Sequence, residues 1–205
     1  MEHLTNILYW ISTGLLVPVV VVLLFLFVRA LLLTGGFFNH YQMKQKADRL
    51  LNEKIDSGRF DDPAQMLEGL PANSRALPIR YARLILENHD HNAQIIRLLS
   101  AFEIEADKEL SLSKNLTKLG PILGLMGTLI PMGPALVGLA TGDIASLAHN
   151  MQVAFATTVV GLLIGAIGFI TQQAKQRWYL QDYINLEYIA RMVNADYRNS
   201  HAGIR

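Results

Sequence analysis

The sequence contains no cysteine, which excludes disulfides, thiolate nucleophiles, zinc-finger ligation and iron–sulfur clusters. Charge is scarce too: Asp, Glu, Lys and Arg make up 17% of the 205 residues, with 18 basic side chains against 17 acidic ones. A net charge of +1 without a clustered basic face gives no case for nucleic-acid binding. No Walker-type phosphate loop, G-x-S-x-G elbow, H-E-x-x-H or dinucleotide fingerprint occurs. That argues against an ATPase, a hydrolase or an oxidoreductase, so neither an enzyme nor a cofactor is expected. Repeats and low-complexity tracts are missing as well.

Apolar residues are plentiful, at 51% of the chain, and they are gathered into three uncharged stretches. These run Leu4 to Val28, Leu119 to Thr141 and Met151 to Thr171, each long enough to cross a bilayer as a helix, which takes roughly 20 residues. The reading is an all-α integral membrane protein with three transmembrane helices. A cleaved signal peptide fits the first stretch poorly, because Met1-Glu2-His3 lacks a basic start and no A-x-A site follows. Basic residues set the orientation. Arg29, Lys44, Lys46 and Arg49 follow the first span, Lys114 and Lys118 precede the second, and Lys175 and Arg177 follow the third. The N-terminus is therefore expected outside and the C-terminus in the cytoplasm of a cell bounded by this inner membrane. Tyr9 and Trp10 suit the outer interface; Phe37, Phe38, Tyr41, Trp178 and Tyr179 suit the inner one.

The expected organisation is an external tail and first span over 1–33, a cytoplasmic helical insert over 34–118, a second span over 119–141, a short external link over 142–150, a third span over 151–171 and a cytoplasmic helical tail over 172–205. Within the insert, Asn39 to Lys54 is helix-favouring, and Asp62-Pro63-Ala64-Gln65 orders a cap, a first-turn proline and a box-closing glutamine, the start of a short helix. After Pro71 and Pro78 come a helix over Ile79 to Glu87 and a long helical stretch leading into the second span. Ile95, Leu99, Phe102, Ala106 and Leu110 recur at helical spacing, as do Tyr179, Tyr183, Leu186, Ala190, Val193 and Tyr197. Two transmembrane helices are thus expected to continue into the cytoplasm and pack there.

Spans two and three carry stripes of small residues. Gly120, Gly124, Gly127, Pro131, Pro134 and Gly138 follow spacings of four, three, four, three and four, with Thr128 at the edge. In span three Ala154, Thr158, Gly161, Gly165 and Gly168 form a matching stripe, with Thr157 beside it. Such stripes let helix backbones approach closely where lipid supplies little hydrophobic drive, so tight helix packing explains them by itself.

The wording of the stripes carries more. Gly120-Pro121-Ile122-Leu123-Gly124-Leu125-Met126-Gly127-Thr128 resembles the G-P-L-L-G-L-L-G-T run that opens the second span of the MotA/TolQ/ExbB proton-channel family. Ala154-Phe155-Ala156-Thr157-Thr158-Val159-Val160-Gly161-Leu162 resembles its third-span A-L-x-A-T-A-x-G-L pattern. The family's pore threonine carries over onto Thr158, three residues before the glycine, and Thr157 falls on the neighbouring alanine. The order of parts is that of a three-span ExbB/TolQ-like subunit; the four-span flagellar stator layout would need a further N-terminal helix. Leu129-Ile130-Pro131-Met132-Gly133-Pro134 has more proline than the family pattern, and the usual proline near the end of span three is Gly168.

Proton conduction through hydrocarbon needs a group that changes protonation state, and spans two and three contain no Asp, Glu, His or Lys. A threonine hydroxyl holds water and hydrogen bonds but is no proton carrier at neutral pH. The resemblance implies where the acid comes from: a ring, typically a pentamer, around a dimer of a single-span ExbD/TolR-like protein with an intramembrane aspartate. The small faces of spans two and three would line the ring's interior, with Thr128, Thr158 and Thr157 beside that carboxylate. The function implied is an ion-driven motor, most simply proton-driven, that turns the gradient into mechanical work across the envelope. The residues alone leave open a non-conducting scaffold assembled through the small faces.

Other polar residues have two readings each. His149, with Asp143, sits near the outer end of span three and is a candidate for admitting protons, set against an ordinary interfacial residue. His89 and His91 form an H-x-H without further ligands, so no metal site is expected. Glu103, Glu105, Asp107 and Glu109 read as a solvated face or as an acidic mouth for exiting protons.

Overall fold

The computed structural model describes residues 2–56 and 76–194, and for some residues of the first two helices the backbone alone. The expected helix start at Asp62-Pro63-Ala64-Gln65 and the apolar position Tyr197 lie outside the described residues, as do the side chains of Tyr9 and Phe38. Among the described residues the chain is all-helical, in the order α1 (Glu2–Gly14), α2 (Leu16–Asp56), α3 (Leu77–Glu87), α4 (Asn92–Thr141) and α5 (Ile144–Val193). Three helices are long and apolar enough to cross a membrane: α2 over Leu16–Phe37, α4 and α5. The protein is therefore a multi-pass membrane protein. Its first apolar run is displaced towards the C-terminus from the stretch Leu4 to Val28.

Pro18 explains the single interruption between α1 and α2. It has no N–H to offer the Gly14 carbonyl four residues back, and the helix breaks at Leu15, where α1 has ended and α2 has not begun. Bonds from Leu15 N to the Ile11 carbonyl and from Val19 N to the Leu15 carbonyl, both 3.1 Å, hold the two helices in register. By contrast, Pro121, Pro131 and Pro134 all lie inside α4 without ending it, as membrane helices allow.

The chain divides into two units, Met1–Gly36 with Ser111–Gln172, and Phe37–Leu110 with Gln173–Arg205. In the first, α2, α4 and α5 meet around Leu23, Ala30, Leu116 and Ile164, with Phe27, Leu123, Val160 and Ile167 packed against them. The second has a conventional apolar core. The α3 residues Leu77, Ile79, Ala82, Ile85 and Leu86 pack with Ile95, Leu99, Phe102, Ala106 and Leu110 of α4 and with Tyr179, Leu186, Ile189 and Ala190 of α5. The faces read from helical spacing in the sequence are the buried ones.

Polar residues finish this second core. His91 accepts the first bonds of α4, from Gln94 N at 3.0 Å and Ile95 N at 3.1 Å, which places it as a helix start. The His89 ring bonds the Leu86 carbonyl at 2.9 Å, its other nitrogen lies 3.2 Å from Asp90, and the Asn194 side chain donates to the His89 carbonyl. No metal-binding cluster occurs among the described residues.

The turn between α4 and α5 occupies two residues. Gly142 has φ +75°, a left-handed conformation that favours glycine. Its N–H bonds the Leu139 carbonyl at 3.2 Å, and Asp143 N bonds the Gly138 carbonyl at 2.8 Å, the pairing of a Schellman end. Asp143 then caps α5, its carboxylate accepting from Ser146 N at 3.0 Å. Within the expected link over 142–150, only Gly142 and Asp143 are non-helical, and Ile144 onward is helical.

Candidate functional site: the paired small-residue helices

Glycine brings α4 and α5 together. A Cβ added to Gly120 would lie 2.7 Å from the Gly161 carbonyl oxygen and 2.8 Å from Gly165 N. One added to Gly161 would lie 2.6 Å from the Gly120 oxygen and 2.7 Å from the Gly124 Cα. Gly168 sits against Thr117 and Ser113, Gly165 against the ring of Pro121, and Gly138 against the start of α5. Backbone meets backbone along most of this seam, which yields dispersion contact in place of the hydrophobic drive that lipid withholds.

Gly120, Gly124, Gly127, Pro131, Gly138, Ala154, Gly161, Gly165 and Gly168 are all buried. The residues expected to serve helix packing or a pore face are thus packed within the chain. They face each other inside one chain, because a surface without side chains is most useful where two backbones must touch.

The threonines divide along the same line. Thr157 is buried with 6% of its surface exposed, and its side chain fills the space beside Gly127. Its hydroxyl donates to the Val153 and Ala154 carbonyls at 3.0 and 2.9 Å. Thr128 and Thr158 are only half-buried. Thr128 Oγ1 donates to the Leu125 carbonyl at 2.7 Å, and Thr158 Oγ1 to the Ala154 carbonyl at 3.1 Å. With the hydroxyl proton committed to its own helix, each oxygen keeps lone pairs to offer, so each is an acceptor for water or for a protonated acid.

Further along the seam lies a polar group that sequence reasoning missed. Ser113 is buried completely; Thr171 donates to the Ile167 carbonyl at 2.7 Å and lies 3.4 Å from the Ser113 hydroxyl, and Thr117 donates to the Ser113 carbonyl at 2.8 Å and to Gln172 at 3.3 Å. Their helical spacing from Gly120 and Gly168 was the available signal.

The second unit holds a buried charged group of its own. Lys44 Nζ lies 2.6 Å from Asp182 Oδ1, with side-chain exposures of 9% and 1%. Tyr179 donates to Glu109. Burial lowers the pKa of Lys175, an effect partly offset by Glu109, and burial followed by the Glu109 bond raises that of Tyr179. Asp182 was legible in principle, since it falls on the apolar stripe between Tyr179 and Leu186. Glu105 bonds Arg80 and Tyr81. The Arg80 bond, partly opposed by burial, holds its carboxyl below the usual range. The acidic run is thus divided: Glu103 and Asp107 are exposed, whereas Glu105 and Glu109 each accept a bond from a neighbouring helix. His149 and Asp143 are exposed at the turn end of α5, and the cap accounts for the aspartate.

The model of a family described as the MotA/TolQ/ExbB proton channel family matches residues 80–185, which includes both glycine stripes and the threonines. Among curated proteins no match was found.

Proposed function

The chain belongs to the MotA/TolQ/ExbB proton channel family, and from that premise we propose that it is a ring-forming subunit of an ion-driven motor in the inner membrane. Protons, or Na⁺ in the same role, would drive it. One observation carries this reading: Thr128 and Thr158 keep half-open hydroxyl oxygens on two tightly paired helices whose spans contain no ionisable side chain. A conducting path there needs an acid from outside the chain. The partner is a dimer of a single-span ExbD/TolR-like protein with an intramembrane aspartate, held inside a homo-oligomer, most simply a pentamer, with the N-terminus outside.

The chemistry follows from the hydroxyls. Each donates to its own helix and so accepts from its visitor, which favours the protonated form of a partner's carboxylic acid. Desolvation raises that acid's pKa and loads the proton; water reaching the far side releases it. The paired glycine seam keeps the two helices rigid, so the conversion of flux into motion falls to the partner inside the ring. Thr157, Ala154 and the glycines then act by holding Thr128 and Thr158 in place, and His149 with Asp143 sits where protons are admitted.

The test is co-expression with an acid-bearing single-span protein encoded beside this chain, native mass measurement of the complex, and flux in liposomes. Five copies retaining two partner copies, with flux lowered by Thr158→Val, are expected. A stable homo-oligomer that never retains such a partner overturns the reading in favour of a non-conducting scaffold.

A further inference from the structure

On the buried face of α5, Lys175, Tyr179 and Asp182 follow one another at spacings of four and three, so the three side chains line one stripe of the second unit. They are 7%, 9% and 1% exposed. Asp182 holds Lys44 of α2, and Tyr179 donates to Glu109 of α4. Lys175 differs from both. Among the described residues it makes no hydrogen bond and no ion pair, and the opposite charge acting on it is that of Glu109.

A buried ammonium without a bonded counter-charge is unfavourable, and the other acids of the unit are committed or turned away. Asp182 is engaged by Lys44, Glu105 by Arg80 and Tyr81, and Glu103 and Asp107 are exposed. Glu109 thus has two claimants on successive turns of α5, the Tyr179 hydroxyl and the Lys175 amine. Four residues of helix separate them by about 6 Å, which a change of glutamate rotamers spans.

Which claimant prevails depends on charge. With both partners ionised, an ammonium and a carboxylate attract more strongly than a phenol and a carboxylate do. An uncharged amine has no such attraction and yields to the phenol. The contact present, Glu109 on Tyr179, is the one that an uncharged Lys175 leaves in place, and burial favours that uncharged form.

We propose that Lys175 is a proton-binding site that switches Glu109 between two contacts: charged, the lysine draws the carboxylate off Tyr179, and uncharged, it returns the carboxylate to the phenol. The proton comes from water and goes back to water, Tyr179 keeps its own, and the bond that breaks is the hydrogen bond between Tyr179 and Glu109. The two states place one acid of α4 against neighbouring turns of α5, and the phenol that is released belongs to the apolar core of the unit. The switch lies wholly within the second unit and needs neither conduction nor a partner, so its failure and that of the motor reading are separate results.

The test is NMR of the full chain in neutral detergent, with tyrosine isotopically labelled at the ring carbon that bears the hydroxyl, titrated from pH 6 to 10.5. Tyr179→Phe identifies the resonance. Burial and the Glu109 bond hold the Tyr179 phenol protonated over this range, so a step in its shift reports the bond to Glu109. The wild type should show one step, with its midpoint below 10.5, the ordinary value for lysine. Lys175→Arg, charged throughout, should fix the resonance at the low-pH position. Lys175→Met should fix it at the high-pH position, and because it removes a buried charge it should fold at least as readily as the wild type. A wild-type resonance without a step, a step that survives in Lys175→Met, or one shared position in Lys175→Arg and Lys175→Met overturns the proposal. The last result would leave the lysine as packing alone.

Discussion

Thr157 occupies the notch that Gly127 leaves open: a Cβ on Gly127 would stand 2.5 Å from the Thr157 hydroxyl oxygen and 2.6 Å from its Cβ. The two residues fix the distance between α4 and α5 at the level where Thr128 and Thr158 sit, one on each helix.

Gly127→Ala should therefore destabilise the chain by about 1–3 kcal/mol, read as thermal unfolding in detergent, and Thr157→Gly in the same chain, which removes the Cβ as well as the hydroxyl, should restore part of the loss. Gly161→Ala should cost more and have no such rescue, since its neighbours are the backbone of Gly120 and Gly124. Gly35→Ala, in open space within a helix, should instead stabilise by about 0.5–1 kcal/mol. An unfolding temperature for Gly127→Ala equal to the wild type would mean the seam is looser than its geometry.

The hydroxyls can be told apart by function. Thr158→Val and Thr128→Val should lower flux in the partnered complex while leaving its mass unchanged. Thr157→Val should leave flux near wild type, because its hydroxyl is shut between two helices of one chain. Equal losses in all three would place Thr157 on the ion path.

Asp182→Asn removes the carboxylate charge 2.6 Å from a nearly buried ammonium. Breaking such a pair costs about 3–5 kcal/mol, so the variant should unfold early. The double variant Lys44→Met with Asp182→Leu, which removes both charges, should regain much of the stability. If the single variant is as stable as the wild type, water reaches Lys44.

Stability should also fall at alkaline pH. Tyr179 has its pKa raised from 10.0 by burial and the Glu109 bond, so the folded chain keeps a proton the unfolded one gives up, and its contribution declines as pH rises past 10. Lys175 runs the other way: burial lowers its pKa from 10.5, so its unfavourable contribution is largest at neutral pH and fades as pH climbs towards 10.5. Tyr179→Phe should lessen the decline, part of which stays with Tyr81 and Tyr183, whose pKa values burial also raises, and leave the rise, in unfolding curves between pH 7 and 11.

Much of this architecture was legible in the sequence because period and composition speak directly to membranes. Ile95 to Leu110 and Tyr179 to Ala190 announce their buried faces by spacing, and the Gly120 and Gly161 runs announce both close packing and family. What spacing does not carry is the identity of the surface that a small face meets. Spacing alone does not say what Gly124 meets, and in the fold it lies against Gly161 and Thr157 of α5. Lys44 and Asp182 are far apart in sequence, so their pairing needed the fold. Helix α5 begins at Ile144, before the span expected over 151–171, because Ile144 to Asn150 is helical although less apolar than the residues that follow.

The turn at Gly142 makes the pairing of α4 with α5 a mirror. Gly138 meets the start of α5, Gly127 meets Thr157, Gly124 meets Gly161, Gly120 meets Gly165, and Thr117 meets Gly168, each step away from Gly142 on one helix matched by a step on the other. The seam can close like a zip fastener from its shortest contact outward. A single residue inserted between Gly127 and Thr157 other than at the turn would rotate everything beyond it by about 100°, so that glycine no longer met glycine. The hairpin therefore accepts replacement at many positions and a change of length at almost none.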